Sequence, residues 1–158
     1  MKAGEIMHQR VLATTPRASV RDVATKLVMN RISGMPVTDR EGRVLGVITE
    51  EDILRALMER KSLETLTAQD VMSKHLATVG TDTSIEEVME ILHDEGILRV
   101  PVTDRGKVVG IVSRADVIRA ALDLEFMTFS RNLAPVSGKN RASEKRRNEK
   151  RRQKVASA

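Results

Sequence analysis

The chain has 158 residues, no cysteine and no tryptophan, and a formal net charge of +5. Without cysteine, neither a disulfide framework nor a thiolate metal site can form. The N-terminus lacks the apolar run of a signal peptide, and no stretch is long enough to span a bilayer, so we expect a cytoplasmic protein.

The sequence contains the same pattern twice. Residues 6–58 align with residues 71–122 at a spacing of 65, which falls to 64 after one deletion in a turn. The aligned cores read GMPVTDREGRVLGVITEEDILRAL and RVPVTDRGKVVGIVSRADVIRAAL. A fixed internal period defines the structural unit. A unit of roughly fifty residues is marginal alone, so we expect the two to pack about a pseudo-twofold axis, with clefts between them.

Repeat 1, residues 6–60, predicts two helices and three strands. Residues 10–15 suit a short strand that Pro16 ends, and Ser19 is a candidate N-cap. The following helix has an apolar face made of Val20, Val23, Ala24, Leu27 and Val28. The runs MPVTD and RVLGVIT flank a Gly-bearing turn and predict a hairpin. A second helix opens at Thr49, and its inward-facing residues are expected to be Ile53, Leu54 and Leu57.

Repeat 2, residues 70–123, follows the same order. It has a strand in LATV, a helix from Ser84, a C-cap at Gly96, the runs RVPVTD and KVVGIVS, and a helix from Ser113. Each unit is therefore β-α-β-β-α, and the fold class is α/β. In residues 124–136, a helical extension or linker, Phe126 and Phe129 fall on an apolar stripe that packs on the protein's own core or contacts another subunit.

The C-terminal residues carry the positive charge. Residues 137–158 hold nine Lys or Arg against two Glu, a net charge of +7, which leaves −2 for residues 1–136. We expect this tail to be disordered because it has almost no apolar content. From Lys139 to Lys154 it is either a solvated appendage, a contact for nucleic-acid phosphates, or a contact for an acidic membrane or protein partner.

Two motifs recur in register. An apolar-Pro-Val motif occurs at Met35, Pro36 and Val37 and again at Val100, Pro101 and Val102. A Gly-x-x-Thr/Ser-x-x-Asp motif occurs at Gly46, Thr49 and Asp52 and again at Gly110, Ser113 and Asp116. With these motifs the sequence resembles the cystathionine β-synthase (CBS) domain family, specifically a stand-alone tandem pair, or Bateman module. The resemblance covers nearly all of residues 6–122.

The resemblance implies two clefts that hold adenosine-type ligands, which in this family include AMP, ADP, ATP, S-adenosylmethionine, NAD and cyclic dinucleotides. It also implies a homodimer, a regulatory function and no required cofactor. Asp52 or Asp116, at the start of a helix, can accept hydrogen bonds from ribose hydroxyls. The hydroxyl and amides beside each Asp can donate to a phosphate, and the preceding glycine allows close backbone approach. The same Thr/Ser-x-x-Asp spacing also fits helix N-capping, so both roles stay open.

The two repeats are not equally equipped for a ligand. Family members often have a threonine in the first strand, and repeat 2 has Thr78 where repeat 1 has alanine. Repeat 2 also has Arg114 and Arg99, which can pair with a phosphate, whereas repeat 1 places Glu50 and Glu51 in its motif. We therefore expect one good site in repeat 2 and a weak or empty site in repeat 1.

No catalytic constellation stands out, so we do not expect an enzyme. His8, His75 and His93 have no Cys or carboxylate at metal-ligand spacing and are expected at the surface. The sequence therefore favours a regulatory module that binds an adenine nucleotide and signals to a partner. The alternative is a nucleic-acid-associated protein driven by the tail, with the repeat pair serving as a dimerisation scaffold.

Overall fold

A computed structural model of the chain describes residues 1–122. The elements in chain order are α1 (Ala3–Ile6), α2 (Val20–Asn30), β1 (Gly34–Thr38), β2 (Val44–Thr49), α3 (Glu50–Met58), α4 (Ala68–Val71), β3 (Val79–Gly80), α5 (Ile85–Asp94), β4 (Arg99–Asp104), β5 (Lys107–Ser113) and α6 (Arg114–Leu122). The predicted mixed α/β class with two repeats is confirmed. The predictions for residues 124–136 and 137–158 lie outside the described residues.

The helix starts follow the predicted caps. Ser19 Oγ accepts a hydrogen bond from the Asp22 amide at 3.1 Å, and α2 begins at the next residue. In repeat 2, Ser84 Oγ accepts the Glu87 amide at 3.3 Å in the same way. Gly96, just after α5, has φ +65°, a left-handed conformation that a glycine adopts without strain. Local capping chemistry therefore places these elements.

The strands form two antiparallel hairpins. β1 pairs with β2, and β4 pairs with β5, each with a register shift near the hairpin end. The predicted strand over residues 10–15 is reduced to one residue, because only Thr14 finds partners on β1: its N–H donates to Pro36 O and its C=O accepts from Thr38 N, both at 2.9 Å. Its counterpart is the two-residue strand β3, which pairs in parallel with β4.

Each repeat has a core of buried aliphatic side chains. In repeat 1 the cluster comprises Val20, Val23, Leu27, Met35, Val37, Ile48, Ile53 and Ala68. The inward orientation predicted for Val28, Leu54 and Leu57 is wrong, since these side chains are 72%, 56% and 52% exposed. α3 instead buries Ile53 and Ala56, which lie three residues apart on one face. Leu54 and Leu57 each follow by one residue and are therefore rotated away from the core.

The leading segment of each repeat packs on the other repeat. We call residues 1–8 the first leading segment and residues 66–73 the second. His8 N–H donates to Ile111 O at 2.9 Å, and Ile111 N–H donates back to His8 O at 3.0 Å. Ser73 makes the equivalent pair of bonds with Val47 in repeat 1, at 2.9 and 3.0 Å. Each hairpin is thus completed by a residue from the beginning of the other repeat.

The two hairpins also meet each other at equivalent residues. Val44 N–H donates to Gly106 O at 3.3 Å, and Val108 N–H donates to Gly42 O at 3.0 Å. Arg43 and Lys107, which correspond in the repeat alignment, lie opposite one another in this antiparallel bridge. Equivalent residues facing each other are the mark of a twofold relation, as the repeated sequence predicted.

Candidate functional site

The carboxylate of Asp116 lies at the start of α6 and is 5% exposed. Its Oδ2 accepts hydrogen bonds from the Ser113 amide at 2.8 Å and from the Ser113 hydroxyl at 2.6 Å. In return, the Asp116 amide donates to Ser113 Oγ at 3.2 Å. This reciprocal arrangement caps the helix, so the capping role considered for this motif is present.

The second oxygen of Asp116 is engaged by residues outside the motif. Its Oδ1 lies 2.8 Å from His8 Nε2 and 3.0 Å from Arg119 Nη1. Burial raises the pKa of Asp116, but the hydrogen bonds from the Ser113 hydroxyl and amide and from His8 together outweigh it, and the pKa lies below its usual value. Asp116 is therefore a charged carboxylate whose two oxygens both accept hydrogen bonds from protein groups.

Asp52 has the same cap but different surroundings. Its Oδ2 accepts from the Thr49 amide at 2.9 Å and from the Thr49 hydroxyl at 2.8 Å. Ser73 stands where His8 stands in repeat 2, and Arg55, the counterpart of Arg119, lies 3.8 Å from Glu51. Within residues 1–122, Asp52 Oδ1 has no protein hydrogen-bond partner. The two carboxylates therefore differ in how accessible their second oxygen is.

The motif glycines make room for the leading segments. A Cβ on Gly46 would lie 2.5 Å from Met72 Sδ and 2.9 Å from the Ser73 carbonyl oxygen. A Cβ on Gly110 would lie 2.8 Å from Met7 Cγ, and still closer to the sulfur. Both contacts are too short for a side chain. Packing of the opposite leading segment thus favours glycine at both positions, whatever part these residues play toward a ligand.

Arg114 is occupied in the structure. Its Nε donates to Ile97 O at 2.8 Å and its Nη2 donates to Leu92 O at 2.9 Å. The Leu92 carbonyl lies in the last turn of α5, where a cation is favourable because these groups lack partners inside the helix, and Ile97 lies just beyond the helix. The residue therefore anchors the end of α5 to the start of α6, a role that the sequence analysis did not foresee.

Two other polar candidates in repeat 2 keep free donors. Arg99 lies half-buried in β4, and its Nε is buried without a partner among the described residues. Thr78 is exposed and directly precedes β3. Met35, Pro36, Val100 and Pro101 are all buried and contribute to the core. Contact between these four and a purine stays a prediction.

Sequence reasoning missed His8. It lies at the surface as expected, with its side chain 62% exposed, but it also contacts a carboxylate 108 residues away. No local pattern signals such a contact, and only the crossing of the leading segments brings the two side chains together.

Among residues 1–122, no group of three or more His, Cys, Asp or Glu is placed to hold a metal ion. None of the helices described in this range has the length and apolarity that a bilayer crossing requires.

Comparison with known proteins identifies the family. The CBS domain model matches the chain twice, at residues 3–59 and 68–123. The chain therefore belongs to the CBS domain family, as the resemblance indicated. It is 29% identical over 138 residues to an uncharacterized 17.7 kDa protein of Acidianus ambivalens, covering 87% of this chain and 83% of the relative.

Two similar solved structures contain adenosine ligands. The CBS domain pair of protein MJ0100, in complex with 5′-methylthioadenosine and S-adenosyl-L-methionine, is 28% identical with a TM-score of 0.69. That comparison covers 75% of this chain and 94% of the other. CBSX2 in complex with AMP is also 28% identical with a TM-score of 0.69, covering 78% of this chain and 98% of the other.

Proposed function

We propose that this protein is a regulatory module that binds an adenosine-type ligand beside Asp52 and Asp116 and signals occupancy to a partner protein. The observation that carries the proposal is the pair of equivalent carboxylates, each held by its Thr or Ser at the start of a helix. Adenosine ligands in two similar CBS domain pairs support the choice of ligand class.

Each carboxylate is already oriented by its cap. Oδ2 is fixed by the neighbouring hydroxyl and amide in both repeats. Oδ1 is then the acceptor for a ribose hydroxyl; within residues 1–122 it has no protein partner at Asp52, whereas at Asp116 it contacts His8 and Arg119. A pre-oriented acceptor binds more tightly, because less conformational freedom is lost on binding. Arg99, whose Nε has no partner among residues 1–122, is the cation that we assign to a phosphate in repeat 2. Arg114 would have to leave two carbonyls to do so.

The ligand class is AMP, ADP, ATP, S-adenosylmethionine or NAD, all of which share the adenosine group. The carboxylate reads the ribose, so it does not discriminate among them. No catalytic step and no required cofactor form part of this proposal, and the cytoplasm remains the expected location.

The test is ligand-induced stabilisation of the full chain. Each ligand at 100 times its dissociation constant should add about 2.7 kcal/mol to the free energy of unfolding. Thermal unfolding with each member of the panel measures the shift, and inosine serves as a control for the base. The double variant Asp52→Asn/Asp116→Asn keeps an acceptor for each cap but should lose the shift. Absence of a shift with every adenosine ligand would reject the proposal.

We also propose that the protein is a homodimer. Apolar side chains remain exposed at equivalent places on α3 and α6, for example Leu54 and Ile118 at 56% and 60%. A second copy presents the same two faces, which suits a self-complementary twofold contact. Sedimentation of the wild type and of Leu54→Lys should show a dimer and a weakened dimer, respectively. A wild-type monomer at micromolar concentration would reject this proposal.

The nucleic-acid alternative rests on the charge of residues 137–158, +7 against −2 for the rest of the chain. Up to about nine phosphate contacts would give a log–log salt dependence with a slope approaching −8 on duplex DNA. Filter binding of the full chain and of a chain ending at residue 136, at two salt concentrations, measures this. Salt-insensitive binding by the shortened chain would contradict the assignment of nucleic-acid contact to the tail.

A further inference from the structure

The Asp116 carboxylate is contacted by a residue that belongs to the other repeat. His8 reaches it because the first leading segment runs along β5, where the His8 backbone makes two bonds with Ile111 at 2.9 and 3.0 Å. The His8 side chain is 62% exposed, whereas the Asp116 side chain is 5% exposed. The imidazole therefore covers the carboxylate from the solvent side.

His8 contacts Oδ1 of Asp116, which is the oxygen to which a ribose hydroxyl would bind. Oδ2 of Asp116 is committed to the Ser113 cap, so Oδ1 is the acceptor left for a ligand hydroxyl. His8 Nε2 lies 2.8 Å from Oδ1, and Arg119 Nη1 lies 3.0 Å from it. A carboxylate oxygen has about two lone-pair sites, and on Oδ1 these are taken by His8 and Arg119. A ribose hydroxyl can therefore bind Oδ1 only if one of these two side chains moves away.

We propose that His8 competes with the ribose for Asp116 Oδ1, and so sets how tightly repeat 2 binds an adenosine ligand as a function of pH. This inference rests on the proposed function. A histidine changes charge between pH 5 and 8. When His8 is charged its contact with Asp116 is an ion pair, which is harder to displace than the neutral hydrogen bond.

The surrounding charges agree with this assignment. On α6, Arg119 is the charged group that contacts the pair formed by His8 and Asp116. The Arg114 side chain donates instead to the carbonyls of Ile97 and Leu92. On the leading segment, the Glu5 carboxylate is engaged by the Lys2 amide. An arginine side chain keeps its charge in proteins, whereas a histidine is the residue type whose charge changes between pH 5 and 8.

Repeat 1 supplies the natural comparison. Ser73 occupies the place of His8, and Asp52 Oδ1 has no protein partner within residues 1–122. Serine does not titrate in this range, so binding at Asp52 should not depend on pH through this position. The same motif thus gives one site with a competing histidine and one without.

The experiment is calorimetry with 5′-methylthioadenosine, which has no group that titrates between pH 5.5 and 8. An Asp52→Ala background isolates repeat 2. Wild-type His8 should give affinity that rises roughly two- to fivefold from pH 5.5 to pH 8, the range for an exposed ion pair. His8→Ala should bind more tightly than His8 at pH 5.5 and lose the pH dependence. His8→Gln, which keeps a hydrogen bond without a charge, should also be independent of pH.

The reciprocal variant tests the cause directly. Ser73→His in an Asp116→Ala background should give repeat 1 the same pH dependence that His8 gives repeat 2. Equal pH profiles for wild type and His8→Ala, with clear binding by both, would overturn this inference and leave the proposed function standing. Absence of binding by both proteins at every pH would reject the proposed function, and this inference with it.

Discussion

Asp52 and Asp116 begin equivalent helices and accept the same two bonds from a Thr or Ser three residues earlier. Their second oxygens differ: that of Asp116 meets His8 and Arg119, and that of Asp52 meets no protein group in the part of the chain described. The motif fixes the backbone and the cap, because these are local. Accessibility of the carboxylate is decided instead by a residue at the far end of the chain.

The largest effect that we expect is a loss of stability when a Cβ is added at one of the motif glycines. Gly46→Ala should destabilise by about 3 kcal/mol, the upper end for overpacking, because its Cβ would meet the Ser73 carbonyl oxygen at 2.9 Å as well as Met72. Gly110→Ala should cost less, since the nearest atoms all belong to the Met7 side chain. Urea unfolding measures both. Met7→Ala should rescue Gly110→Ala more fully than Met72→Ala rescues Gly46→Ala, and equal rescue would contradict the difference.

The second effect is on ligand affinity. At pH 8, Asp116→Ala should weaken adenosine-ligand binding by about 1–3 kcal/mol, or 5- to 150-fold, as a lost partner of the ribose hydroxyls. Asp52→Ala should cost less, because Thr78 and Arg99 accompany only the second site. Calorimetry with AMP provides the two values. A larger loss at Asp52 would show that accessibility of the carboxylate matters more than these neighbours.

A third comparison concerns the short strand that leads each core. Thr14 is 4% exposed and its Oγ1 has no partner among residues 1–122, whereas its counterpart Val79 is an apolar residue with the same 4% exposure. Thr14→Val should therefore stabilise the protein by about 1 kcal/mol, since an unpaired buried hydroxyl is removed. The reverse change, Val79→Thr, should destabilise it. Thermal unfolding of both variants tests this, and destabilisation by Thr14→Val would indicate a partner for the hydroxyl.

The smallest effect is on acid stability. The pKa of Asp116 is lower in the folded protein than in the unfolded chain, so its contribution is present above about pH 4 and is lost as the pH falls through the folded value. Urea midpoints of the wild type should therefore fall more steeply than those of Asp116→Asn as the pH drops from 5 to 3. Parallel curves would show that the hydrogen bonds on this carboxylate do not stabilise its charge.

Elements whose causes are local were predictable from the sequence. Ser19 and Ser84 start helices because each hydroxyl accepts an amide three residues on, and such spacing is visible in any sequence. The repeat gave the order of the strands and the twofold relation. Apolar periodicity was less decisive. It predicted an apolar face on α3, but it did not predict that Ala56 is buried on this face and Leu57 is exposed.

Contacts made at long range were not predictable. The phosphate contact of Arg114 stays a prediction, whereas its hydrogen bonds to the Ile97 and Leu92 carbonyls were not predicted. His8 was expected at the surface without a role. Both outcomes depend on how separated segments pack, and neither residue lies in a pattern that encodes its partner. The sequence thus predicts which residues form a candidate site more readily than which protein groups contact those residues.

The crossing of the leading segments determines how one half of this chain would behave as a separate peptide. A peptide of residues 66–122 would carry a leading segment that packs on repeat 1. Its own repeat would lack the first leading segment, which in the full chain bonds to Thr81 through Gly4 and to Ile111 in β5 through His8. Two such peptides can satisfy each other only by a mutual domain swap. The full chain is then the single-chain form of a swapped dimer, and its tether replaces a concentration-dependent association with an intramolecular one.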